Sequence, residues 1–164
     1  MTPEPTAPLR LFLDAGVIID GCFNRWGTCK GVLILSTLRA SFHVVLAESI
    51  LAEGRRDIDR RIASLPADEA RRVTANVDGW LRRIRSEVVP WPSTYEIRTY
   101  QNLMPVVRHE NDMASIVAAV LARPDWVLST NTKHWNQDVA ARTGLRIATP
   151  LDFLERLQPR SGDT

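Results

Sequence analysis

Three short runs, LRLFL (9–13), FHVVL (42–46) and WVLST (126–130), are apolar without the polar alternation of a strand that keeps one wet face. Such runs suit strands buried on both sides. Between the second and third lie segments of helical periodicity. In AESILAEGRRDIDRRIASL (47–65) the apolar Ile50, Leu51, Ile58, Ile62 and Leu65 recur at about 3.6-residue spacing, as do Val73, Val77, Trp80, Leu81 and Ile84 in the next segment, which runs to Arg85. Helices must then cover both faces of the sheet. The expected fold class is α/β, a single domain with a central parallel β-sheet flanked by helices.

Punctuation refines this outline. Asp-Ala-Gly after LRLFL closes the first strand and opens a helix, and GVLILSTLRA (31–40) has helical spacing. EVVPWP is a short strand closed by prolines. STYEIRTYQNLM is a helix with Ser93 as N-cap and Glu96 completing a capping box. A further helix starts at Asn111 or Asp112, another ends at Gly144, LRIAT forms a last strand, and Thr149-Pro150 opens a closing helix. Residues 9–157 form the domain, with 1–8 and 158–164 as loose ends.

A chain of 164 residues sustains one core of ordinary size. No apolar stretch approaches the roughly 20 residues of a membrane span, and MTPEPTAPLR lacks the pattern of a signal peptide. Cys22 and Cys29 have no CxxC spacing, so buried or free thiols in a reducing, cytoplasmic setting are expected. Of 21 basic residues, 19 are Arg, and between residues 55 and 85 nine arginines face five acids, a local charge of +4 against +2 for the whole chain. Guanidinium groups bind phosphates bidentately, although a solvated helix face has the same composition.

Asp14 stands between two apolar runs, where an uncompensated carboxylate costs several kcal/mol. It follows the first strand; Glu53 lies one to two turns into the helix after the second, and Asp112 opens the helix before WVLST. Parallel sheets build sites at the carboxyl ends of their strands, so the three acids could meet at one edge. Oxygen ligands of this kind suit Mg²⁺ or Mn²⁺. Each acid also has an ordinary role open to it: Asp14 and Asp112 as helix N-caps, Glu53 as an exposed helix residue beside Arg56 or Asp57. No zinc-ligand spacing, phosphate-binding glycine loop or GxSxG occurs. Trp26 and Trp91 fall in loops, where they could stack on bases or pack into the core.

The stretches LFLDAGVII, VVLAESILAEGRRDI, HENDMASIVAAV and WVLSTNTKHW, in this order and at these intervals, resemble the four segments of PIN-domain ribonucleases, a family that includes the toxins of VapBC pairs. The resemblance covers about Leu9 to Leu157. It implies a Rossmann-like fold and Mg²⁺- or Mn²⁺-dependent cleavage of RNA, with Asp14, Glu53 and Asp112 as the catalytic, metal-holding acids and Glu48 as a less favoured choice for the second. It also implies an antitoxin protein partner and a homodimer. Two departures stand out. The fourth segment of the family reads T-x-D, and TNT here puts Thr132 where the acid is expected; Gly16 replaces a small hydroxyl or amide side chain. Three carboxylates supply −3, enough for one tightly held ion. Thr130, Asn131 and Thr132 are expected to position water or phosphate, and Arg55 and Arg56 to bind the RNA backbone. The loss of the fourth acid leaves open an alternative, a degenerate module that binds RNA or protein without cutting.

Overall fold

The computed structural model describes residues 7–101 and 110–158. Most of both expected loose ends, the Asn102–Met104 end of the expected STYEIRTYQNLM helix, and His109 lie outside the described residues. The elements in chain order are β1 (Leu9–Leu13), α1 (Ala15–Phe23), α2 (Thr28–Ser36), β2 (Phe42–Ala47), α3 (Glu48–Ile62), α4 (Ala67–Arg83), β3 (Ser86–Val89), α5 (Thr94–Gln101), α6 (Glu110–Ala122), β4 (Trp126–Leu128), α7 (Gln137–Thr143), β5 (Ile147–Ala148) and α8 (Pro150–Leu157).

The five strands form one all-parallel sheet in the order β3-β2-β1-β4-β5. β1 is therefore central, with Leu11, Phe12 and Leu13 fully buried, as are Val44 and Val45 of β2 and Val127 and Leu128 of β4. The expected double-sided burial is what the sheet shows. After β2 and β3 extend the sheet to one side of β1, β4 returns to its other side. A crevice opens where neighbouring connections diverge in this way, and the end of β1, where Asp14 follows, lies beside it.

The helix ends follow their local chemistry. Ser93 and Glu96 exchange bonds as a capping box: the Ser93 N–H donates to Glu96 Oε2 (2.7 Å) and the Glu96 N–H to Ser93 Oγ (3.2 Å). Thr149 caps α8 through the Asp152 N–H, and α7 stops at Gly144, whose φ of 73° is left-handed. α2 begins earlier and ends earlier than its apolar spacing suggests, at Ser36. The Leu38 carbonyl accepts from both Ser41 and Phe42, and that tight turn feeds the chain into β2. β4 also stops short, at Leu128 rather than Thr130.

Two polar ties fix α4 over the helical layer. The buried Trp80 indole donates to Ser36 Oγ (2.8 Å), and Arg72 and Asn76 donate to the carbonyls of Phe23 and Cys22 at the C-terminal end of α1. Cys22 is buried and free, and burial pushes its thiol up to about 11. No described helix is long and apolar enough to cross a membrane. Because Phe12 is fully buried in the central strand, with its ring 5.9 Å from that of Trp135, Phe12→Ala is expected to cost about 3–5 kcal/mol in urea denaturation.

Candidate active site

The Asp14 backbone N–H donates to Leu128 O (3.0 Å), extending the β1–β4 ladder by one step. Asp14 occupies the N-cap position of α1, but its side chain makes no capping bond. The carboxylate instead accepts from Ser129 Oγ at Oδ2 (2.7 Å). Ser129 Oγ in turn accepts from the Asn131 N–H (2.9 Å). β4 ends here: the Ser129 N–H still donates to Ala148 O (3.2 Å), its hydroxyl serves Asp14, and the chain turns at Asn131.

A cleft of about 170 Å³ opens at this edge, and Asp14, Glu53 and Asp112 all line it. The structure thus brings the three expected acids to one place. They come from three elements: Asp14 from the end of β1, Glu53 from the second turn of α3, Asp112 from the first turn of α6. α3 and α6 are tied beneath the acids by Ser49 and Ser115, whose buried hydroxyls lie 3.0 Å apart. Ser49 is one turn before Glu53, and Ser115 nearly one turn after Asp112. His134 Nδ1 stands 3.0 Å from Asp112 Oδ2 and 3.1 Å from Asn131 Nδ2, so the fourth segment also touches the third acid.

The acids feel one another. Burial raises the pKa of Asp14, and the Asp112 charge adds to the rise; hydrogen bonding from Ser129, the Ala15 backbone and Trp135 pulls it down. The protein around Glu53 raises its pKa too, followed by the negative charges of Asp14, Asp112 and Asp57, while Arg56 opposes them. Among the described residues no three metal-binding side chains are gathered into a ready-made cage. The carboxylates face a common space instead. A donor set made of oxygens, with excess negative charge and room for water, fits a hard divalent cation that retains part of its hydration shell.

The remaining expected residues divide. Thr130 and Asn131 line the cleft. Thr132 is exposed and does not line it. The hydroxyl bonded to the first acid is that of Ser129, and the residue two positions on, whose N–H donates to it, is Asn131. Arg55 lines a separate apolar groove between α3 and α4, and Arg56 lies near Glu53 without lining the cleft. Glu48 accepts from the Trp91 N–H (2.8 Å) outside the cleft. Sequence reasoning missed Asp57 and Arg61, which also line it. Their signal was available: they follow Glu53 at intervals of four on one helix.

Gly16 explains itself in space. A Cβ there would sit 2.5 Å from Thr130 Oγ1. The missing side chain at 16 makes room for a hydroxyl delivered from the opposite wall.

No family model and no curated protein matches the chain. Solved structures do. VapBC2 from Rickettsia felis, bound to a DNA fragment from its promoter, is similar at a TM-score of 0.59 and 14% identity, over 86% of this chain and 98% of that one. PAE2754 from Pyrobaculum aerophilum gives 0.59 and 11%, over 96% and 94%. FitAcB from Neisseria gonorrhoeae gives 0.53 and 15%, over 86% and 98%. At these identities the likeness establishes the fold: an α/β, PIN-like domain with a parallel five-stranded sheet.

Two outcomes are expected from the site's geometry. Gly16→Ala should destabilise the protein by about 1–3 kcal/mol through the clash with Thr130, whereas in a Thr130→Ala background the same change should be neutral or stabilising by up to about 1 kcal/mol, as helix propensity favours Ala. Asp14 and Glu53 have raised pKa values, so the folded state holds their protons more tightly than the unfolded chain. Stability contributed by the protonated forms is complete below the ordinary carboxylate range and is lost as pH rises through the raised values. Metal-free protein should therefore melt lower at pH 7 than at pH 5 to the extent that these groups dominate, and Asp14→Asn should flatten the difference in a thermal melt.

Proposed function

We propose that the chain is a Mg²⁺- or Mn²⁺-dependent endoribonuclease of PIN type, with Asp14, Glu53 and Asp112 as its catalytic, metal-holding acids. The observation that carries this reading is the convergence of three acids from separate elements on one cleft at the carboxyl edge of the sheet. A divalent cation bound there supplies polarisation of a phosphoryl oxygen and a lowered pKa for a bound water.

The protein's own groups do the rest. Ser129 fixes Asp14 Oδ2 and so orients the carboxylate at the cleft wall. His134 and Ser115 hold the α6 side in place, through Asp112 and through Ser49 respectively. Thr130 Oγ1 and the Asn131 amide, both on the cleft wall, position water or a phosphate oxygen. Arg56, exposed on α3 near Glu53, and Arg55, exposed on the same helix outside the cleft, contribute to the electrostatic attraction of an RNA backbone.

The likeness to VapBC2 and FitAcB supports a role as the toxin of a type II pair with an antitoxin-like protein partner; a homodimer is part of the same proposal. One observation favours a second reading. Neither Asn131 on the cleft wall nor Thr132 outside it adds a negative charge where the family carries its fourth acid, which suits a PIN-fold module that binds RNA or protein without cleaving it.

Cleavage of a structured RNA in Mn²⁺ against EDTA separates the two. Wild-type protein is expected to cut only with the metal, and Asp112→Asn to lower the rate by about 10²-fold or more with the fold intact by circular dichroism. Asn131→Asp is expected to tighten Mn²⁺, seen as a larger metal-induced rise in Tm; Thr132→Ala should change neither quantity. Metal-independent cleavage, or full activity in Asp112→Asn, would rule the nuclease assignment out.

A further inference from the structure

Among the described residues the acidic cleft has one guanidinium in its wall. Arg61, on α3, lies two turns beyond Glu53 and one beyond Asp57. Asp57, its natural partner at that spacing, pairs with Arg60 instead (3.0 Å), and no carboxylate of the described residues lies within 4.0 Å of Arg61. The Arg61 guanidinium carbon stands 5.7 Å from the centre of the Phe23 ring, the last residue of α1. That end of α1 is anchored by Arg72 and Asn76 of α4. From Phe23 the chain passes through Arg25 and Trp26 to Gly27, whose φ of 116° turns it into α2. Trp26 is 87% exposed, the most open large apolar side chain described. It stands three positions beyond Phe23, with Asn24 and Arg25 between them, a backbone span of at most about 11 Å.

Resting on the nuclease reading, we propose that Arg61 and Trp26 form a track that leads a single-stranded RNA segment out of the cleft. Arg61 takes a backbone phosphate next to the acids, where a cation with no carboxylate partner among the described residues offsets the repulsion between substrate and carboxylates. Trp26 takes a base. Only an unstacked base offers its face to an indole, so the track selects single-stranded or looped RNA over a duplex, whose bases are already stacked. The position of Arg61 also distinguishes it from Arg55 and Arg56, which stand outside the cleft.

The test measures binding without cutting, by fluorescence anisotropy of a labelled single-stranded RNA 12-mer and of the same sequence as a duplex, on full-length protein in EDTA. Trp26→Ala is expected to weaken single-strand binding about 5- to 100-fold and to leave duplex binding unchanged, with Trp26→Phe restoring most of it. Arg61→Ala should weaken single-strand binding and lower the slope of log K against log salt by about 0.7, the loss of one phosphate contact; Arg61→Lys should keep the slope. Unchanged affinity and slope in Arg61→Ala, or equal losses on both RNAs in Trp26→Ala, would overturn the track, as would wild-type protein that binds neither RNA. Mn²⁺-dependent cleavage that persists with unaltered KM in both alanine variants would overturn the track alone and leave the nuclease reading standing.

Discussion

The structure turns on a carboxylate that the sheet holds largely desolvated at the edge of the core. Asp14 follows the innermost strand, beside the point where the strand order reverses, and its side chain accepts from Ser129, with Trp135 and the Ala15 backbone adding to the same cradle. Ser129 keeps its own backbone bond to Ala148 while its hydroxyl serves Asp14. A buried anion next to other anions is an unfavourable arrangement for an isolated protein, and its raised pKa states that cost in terms of protons. On the proposed reading, a divalent cation would turn the same repulsion into attraction. Much of the surrounding polar structure, from the Ser49–Ser115 hydroxyls to the His134–Asp112 contact, keeps these mutually repelling groups at fixed positions.

The sheet was legible in the sequence because burial on both faces leaves a strand no polar positions, and LRLFL and FHVVL have none beyond Arg10 and His43 at its edge. Arg10 reaches out of the layer to the Ala122 carbonyl and Glu87, so even that exception is satisfied. The capping box at Ser93 and the stop at Gly144 were equally legible, since both are encoded within four residues. The three acids could be placed because each stands at a strand end or in the helix that follows or precedes one.

What the sequence hid was short-range register and long-range neighbourhood. Ser129, Thr130 and Thr132 are all small hydroxyl residues, and linear spacing cannot say which of them faces Asp14; the bond from Ser129 decides, and Thr132 falls outside the cleft. Asp57 and Arg61 escaped because helical periodicity says which residues share a face but not what that face looks into. The identification of α3's far turns as part of the cleft needs the packing of α1 against α3.

The relation between Gly16 and Thr130 couples two positions that lie far apart in the chain. The threonine hydroxyl occupies the space that a side chain at 16 would need, so the bare backbone on one bank is the condition for the oxygen on the other. One bank can gain an atom only where the opposite bank gives one up.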